Sequence, residues 1–163
     1  MLLKAIGDFE RISDHGLNLS DSADEMNRKN LKFTEGAQKE LAVLINAVKE
    51  IMQTSMTAFV SNDLELAEKV EPLEQVIDEL KENMRKRHII RLQQGECSIE
   101  TGFVWSDLLT GFERVSDHCS NIAGAVIDLH HHNMNSHEAL RRMKENSIQF
   151  QALYEAYSEK YEI

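Results

Sequence analysis

The chain has 163 residues, one Pro and seven Gly, and is rich in Leu, Ala, Glu, Lys, Met and Gln, a composition that points to one all-helical domain with a real core. A net charge of −10 argues against nucleic acid or an anionic membrane surface as partner, since both require a basic face, and it suits cations. Two cysteines do not make a disulfide scaffold and fit a reduced, cytoplasmic protein. No apolar run approaches the roughly 20 residues of a membrane span, and Lys4, Asp8, Glu10 and Arg11 interrupt any signal peptide.

Five helices are predicted, in an antiparallel up-and-down bundle. The first covers Leu2 to Arg28, with Leu2, Ile6, Phe9, Ile12, Leu19, Ala23 and Met26 as apolar positions. It begins without a capping residue, which suggests a chain cut from a longer protein. The second covers Thr34 to Val60; Thr34 caps it, and Leu41, Leu44, Val48, Ile51, Ser55 and Phe59 recur three and four apart. The third covers Asp63 to Gln94, with Pro72 expected to kink or restart it because proline lacks the amide donor. The fourth covers Ser98 to His130, capped by Ser98, with Leu108, Phe112, Val115, Cys119, Ile122 and Val126 as its stripe. The fifth covers Ser136 to Tyr161, with Leu140, Met143, Phe150, Tyr154, Tyr157 and Tyr161 as its apolar positions. The connections between them are short, which forces antiparallel neighbours.

One segment occurs twice. Phe-Glu-Arg-Ile-Ser-Asp-His-Gly-Leu-Asn spans Phe9 to Asn18, and Phe-Glu-Arg-Val-Ser-Asp-His-Cys-Ser-Asn spans Phe112 to Asn121, with seven of ten positions identical. The retained residues are mostly polar, whereas packing alone would retain apolar ones. Glu10, Asp14 and Asn18 are spaced four apart, as are Glu113, Asp117 and Asn121, so each trio forms one helical stripe. At about 100° per residue, Asp117 points almost opposite the apolar stripe, which places these residues on or near the surface. The plain interpretation is a solvated polar face. Against it, like charges four apart destabilise a helix by a few tenths of a kcal/mol, a penalty that a bound cation removes.

Glu74 and Asp78 form a second pair four apart, on the third helix. Folding the third and fourth helices back around Gly95-Glu96 sets position 76 opposite position 115, so Glu74, Asp78, Glu113 and Asp117 converge. An all-oxygen cluster suits Mg, Ca, Mn or oxidised iron rather than Zn or Cu. Glu71 lies one turn before Glu74 and extends the cluster. Glu10 and Asp14 have no such partner in the chain.

The two motif segments resemble the signature helices of the PhoU family, regulators of phosphate uptake built from two repeated three-helix bundles. The stretch from Gly102 to Ile122 resembles most the PhoU-like domain at the C-terminus of bacterial sodium-phosphate cotransporters. The resemblance implies residues 1–30 as the last helix of a first repeat, 34–132 as a complete second repeat and 136–163 as a C-terminal helix. It also implies a surface metal cluster, often iron, at Glu10, Asp14, Glu74, Asp78, Glu113 and Asp117. The partner implied is the membrane transporter part of the same longer protein, with a homodimer as a further association. The resemblance places the domain on the cytoplasmic side, attached to the inner membrane through that part and soluble as a fragment.

Other residues carry weaker signals. Arg11 and Arg114 precede each motif Asp by three and are placed to pair with it, or to contact phosphate or a partner. His15 and His118 adjoin each Asp, as supports of a metal site or as ordinary polar-face histidines. His130, His131, His132 and His137 cluster where a helix dipole favours cations. Cys119 falls on the apolar stripe as a small hydrophobe. Trp105, Phe103 and the tyrosines are assigned to the core or to a subunit contact. The leading function is a regulatory, non-enzymatic metal-binding module controlling phosphate transport. The alternatives are a ferritin-like di-metal carboxylate enzyme, whose Glu-x-x-His pattern is missing, and a metal-free helical interaction module.

Overall fold

The computed structural model describes residues 2–131 and 136–163, with side chains placed for 5–131 and 147–163. The described chain is all-α, in six helices: α1 Leu2–Arg28, α2 Glu35–Ser61, α3 Leu64–Ala67, α4 Val70–Gln93, α5 Ile99–His131 and α6 Ser136–Lys160. None is long and apolar enough to cross a membrane among the described residues. Leu2, His132, His137, Leu140 and Met143, assigned above to a core stripe or a histidine cluster, have side chains outside the described set.

The turns follow from local chemistry. Helices α1, α2 and α4 each end on a left-handed residue: Asn30 and Asn62 at φ 52° and Gly95 at φ 74°. After α1, the Leu31 amide bonds the Met26 carbonyl at 2.9 Å and the Asn30 amide bonds the Asn27 carbonyl at 3.2 Å. After α4, Glu96 bonds Arg91 at 2.9 Å and Gly95 bonds Leu92 at 3.1 Å in the same crossed pattern. Thr34 and Ser98 cap as expected, their hydroxyls accepting from Ala37 at 3.2 Å and Thr101 at 3.1 Å.

The predicted third helix is two helices. It breaks at Glu68-Lys69, upstream of Pro72, and restarts as α4 with Pro72 buried in its first turn. There the missing amide hydrogen leaves no helical bond unmade. Asp63 caps the short α3 by accepting from the Leu66 amide at 3.1 Å.

Helices α2, α4 and α5 form a three-helix core of Leu44, Ile51, Leu73, Ile77, Met84, Leu109 and Ile122. Trp105 and Cys119 are buried within it, as expected. Phe103 is not; it is an exposed residue, because it sits at the open end of α5 on the side away from Trp105. Helix α1 packs against α5, and α6 packs against α4. Tyr161 is buried and its hydroxyl bonds Glu50 of α2, while Tyr154 bonds Glu79 of α4. Helix α5 is therefore covered by α1, α2 and α4 at once. A buried ion pair also lies in the core. Arg91 makes two hydrogen bonds to Glu40, at 3.0 and 2.9 Å, and its guanidinium lies 5.5 Å from the Trp105 ring centre.

The two motif helices bury unequal amounts of their equivalent residues. Leu109 is 1% exposed, whereas Ile6, its equivalent one repeat earlier, is 57% exposed. Leu109→Ala is expected to cost about 2–5 kcal/mol through the cavity it leaves. Ile6→Ala is expected to cost about 0.5 kcal/mol or less. Urea unfolding of the two variants checks this contrast.

Candidate functional site

Helices α4 and α5 run antiparallel from the Gly95 turn, and their facing surfaces hold the carboxylates. The Lys81 ammonium links them: it lies 3.3 Å from Glu113 and 4.0 Å from Asp78. Glu74 shares a hydrogen bond with Asp117 and feels the charges of Glu71, Asp78 and Asp117. Asp78 feels Glu113, Asp117 and Glu82. The four residues Glu74, Asp78, Glu113 and Asp117 thus come together across the two helices.

They do not form an open face. The Glu113 side chain is 16% exposed and Asp117 is 34% exposed, whereas Asp78 is 51% exposed. The stripe lies near the surface, as expected, along the groove where α4 packs beside α5, and Glu113 is its most enclosed member because Lys81 of α4 lies against it. Burial is the largest cause that raises Glu74 from its ordinary 4.5 to about 7, followed by the Glu71, Asp78 and Asp117 charges. Burial also raises Asp78, opposed by Lys81. A proton is therefore held in the groove near neutral pH. Glu71 accepts a hydrogen bond from Ser120 of α5, which ties its carboxylate to the same wall.

Two cations already serve the acids. Arg114 lies 3.8 Å from Glu113 and 3.7 Å from Asp117, the same-helix pairing expected from its spacing. Lys81 was not singled out in the sequence, although its place three residues after Asp78 puts it on the same face. As the side chains stand, no three His, Cys, Asp or Glu residues are placed to share one metal ion among the described residues. The donor chemistry is nevertheless all carboxylate, with an ammonium and a proton in the positions of positive charge.

The first motif copy is arranged differently. Glu10, Asp14, Arg11 and Asn18 are exposed, and neither Glu10 nor Asp14 acts on Glu74 or Asp78. Arg11 makes no ion pair with Asp14 among the described residues. The copy packs instead against its own repeat. The His15 and His118 rings stack with centres 5.6 Å apart. Asp8, outside the repeated segment, is buried and accepts from His118 Nδ1 at 2.9 Å and from Asn121 Nδ2 at 3.3 Å. His118 is thus committed to the α1 side of α5. His130 reaches the Asn62 carbonyl at 3.1 Å, a contact between helix ends.

Residues 41–126, which carry Glu74, Asp78, Glu113 and Asp117, match the family model of the PhoU domain. The chain is similar to the phosphate-specific transport system accessory protein PhoU homolog 1 of Thermotoga maritima, 30% identical over 126 residues that cover 77% of this chain and 53% of that protein. It is also similar to the phosphate-specific transport system accessory protein PhoU homolog of Deinococcus radiodurans, 24% identical over 128 residues that cover 77% of this chain and 58% of that protein. The chain spans rather more than half the length of these relatives. No solved structure matches it. With more than half of its length matched by the family model, the chain belongs to the PhoU domain family.

Proposed function

We propose that this chain is a regulatory module of phosphate transport whose α4–α5 groove binds a hard cation, in place of the Lys81 ammonium and the Glu74 proton. The observation that carries this reading is the gathering of Glu74, Asp78, Glu113 and Asp117 in one half-buried groove with more negative charge than it neutralises. The donor set suits iron, Mg, Mn or Ca. The two relatives are accessory proteins of phosphate-specific transport by their names, which supports the regulatory role. The cytoplasmic part of a sodium-dependent phosphate cotransporter, joined to the inner membrane through its transporter part, is the setting we propose from the motif resemblance. Glu10 and Asp14 form a second, open carboxylate pair on α1 for the same kind of ion.

The enzymatic alternative is less well supported. A di-metal carboxylate enzyme of the ferritin-like kind needs histidines among the acids. His118, the histidine adjoining Asp117, is hydrogen-bonded to Asp8 instead. The metal-free interaction module is the outcome if no ion binds.

Calorimetry with Mg, Mn, Ca and ferrous iron is expected to show saturable binding that Asp78→Asn with Asp117→Asn abolishes. Unchanged binding in the double variant would refute the site. Metal at 100 times its Kd is expected to raise the melting temperature by about 5–10 °C. Glu113→Gln with Asp117→Asn should keep the helicity and lose that rise.

The groove also sets a pH dependence in the metal-free protein. The folded-state pKa of Glu74 is raised, so the folded state holds the proton more tightly than the unfolded state. Its contribution to stability therefore falls as pH rises from about 4.5 to about 7, then stays level. Glu74→Gln is expected to raise the melting temperature at pH 8 and to leave it unchanged at pH 4. Equal effects at both pH values would show that Glu74 keeps no proton near neutrality.

A further inference from the structure

Helices α1 and α5 cross antiparallel at their repeated segments, so each copy of the motif faces the other. The stacked His15 and His118 rings mark the middle of the crossing. On one side of it, Asp8 of α1 reaches across to His118 and Asn121 of α5. On the other side, the residue equivalent to Asp8 is Gly111, and those equivalent to His118 and Asn121 are His15 and Asn18. Gly111, His15 and Asn18 line one groove of about 510 Å³ between the helices. The carboxylate that satisfies one half of the crossing thus has no counterpart in the other half. Neither the His15 ring nor the Asn18 side chain has a hydrogen-bond partner among the described residues.

Positive side chains stand at this end of the groove. Arg114 and Arg11 lie close enough to His15 to act on it, with the opposite charge of Asp14 beside them. Arg114 and Thr110 line the groove beside Gly111 and add donors. The far end carries Asp21, Glu25 and Asp107 with Arg28, and Glu25 is paired with Lys29 at 2.8 Å. Those acids repel an extended polyanion and leave the His15 end for a small one. Leu19 lies over Gly111, with its Cδ2 2.8 Å from where a Cβ would stand. An occupant therefore sits beside Gly111 rather than on it.

We propose that the α1–α5 groove binds a small oxyanion of the phosphate or carboxylate class, which accepts from His15 and Asn18 as the Asp8 carboxylate accepts from His118 and Asn121. The site does not depend on metal at the α4–α5 groove, although Arg114 borders both. Its chemistry comes from the duplication: one copy carries its anion covalently, and the other takes it from solution.

The test uses the full chain, stripped of metal on a chelating resin, with the histidine ring resonances followed by NMR. Inorganic phosphate and formate are titrated separately at constant ionic strength, with chloride as control. We expect a saturable one-to-one shift at His15 with His118 little changed, and the tighter of the two anions identifies the ligand class. Asn18→Ala should weaken binding about tenfold by removing one donor to a charged oxygen. Gly111→Asp with Leu19→Ala should abolish it by supplying the carboxylate internally. Shifts that track chloride, or equal affinity in Asn18→Ala, would overturn the proposal, and neither result bears on the α4–α5 metal site.

Discussion

The turn at Gly95 sets the register on which the carboxylate groove depends. Its left-handed residue and two crossed hydrogen bonds begin the reversal, which is complete within the five residues between the helices, and α5 then retraces α4. A slip of one residue on either helix would rotate one wall of the groove by about 100°. Glu74 and Asp78 would then face solvent or core, and Lys81 would lose Glu113. The register is held further along by the buried contacts of Leu73, Ile77, Met84, Leu109 and Ile122, and across α2 by the Glu40–Arg91 pair.

The two groups of charges in this molecule obey different rules. Glu40 is buried and bonded twice by buried Arg91 and once by Arg87 at 3.3 Å, so its charge is fully matched where water is excluded. Removing Glu40 would strand the Arg91 guanidinium, at a cost of about 3–5 kcal/mol. In the α4–α5 groove the acids outnumber Lys81 and Arg114, and the surplus appears as a retained proton on Glu74. Such an arrangement adds nothing to stability by itself. It prepares a place for positive charge.

The duplicated segment is used in two environments. In α5 it is enclosed by three helices, and its acids enter the groove with α4. In α1 it has α5 as its main neighbour, and its acids remain open. The repeat also brings its copies together, since the stack of His15 on His118 and the close approach of Leu19 to Gly111 both lie at the crossing. A glycine at 111 permits that approach, because any side chain there would meet Leu19.

Much of the fold was determined by the chain's local chemistry. Helix boundaries followed from apolar spacing, Thr34 and Ser98 caps, and left-handed Asn and Gly turns, all interactions within a few residues. The convergence of Glu74, Asp78, Glu113 and Asp117 was legible for the same reason, since a short turn between two helices leaves one antiparallel pairing. The restart before Pro72 depended on Asp63 capping a separate short helix, a local competition that periodicity does not reveal. What only the tertiary structure decided involves partners distant in sequence. Glu40 with Arg91, Asp8 with His118, and the enclosure of Glu113 each require knowing which helix lies against which face. The energy of a buried charge depends on the groups that replace its water, and those groups come from other helices.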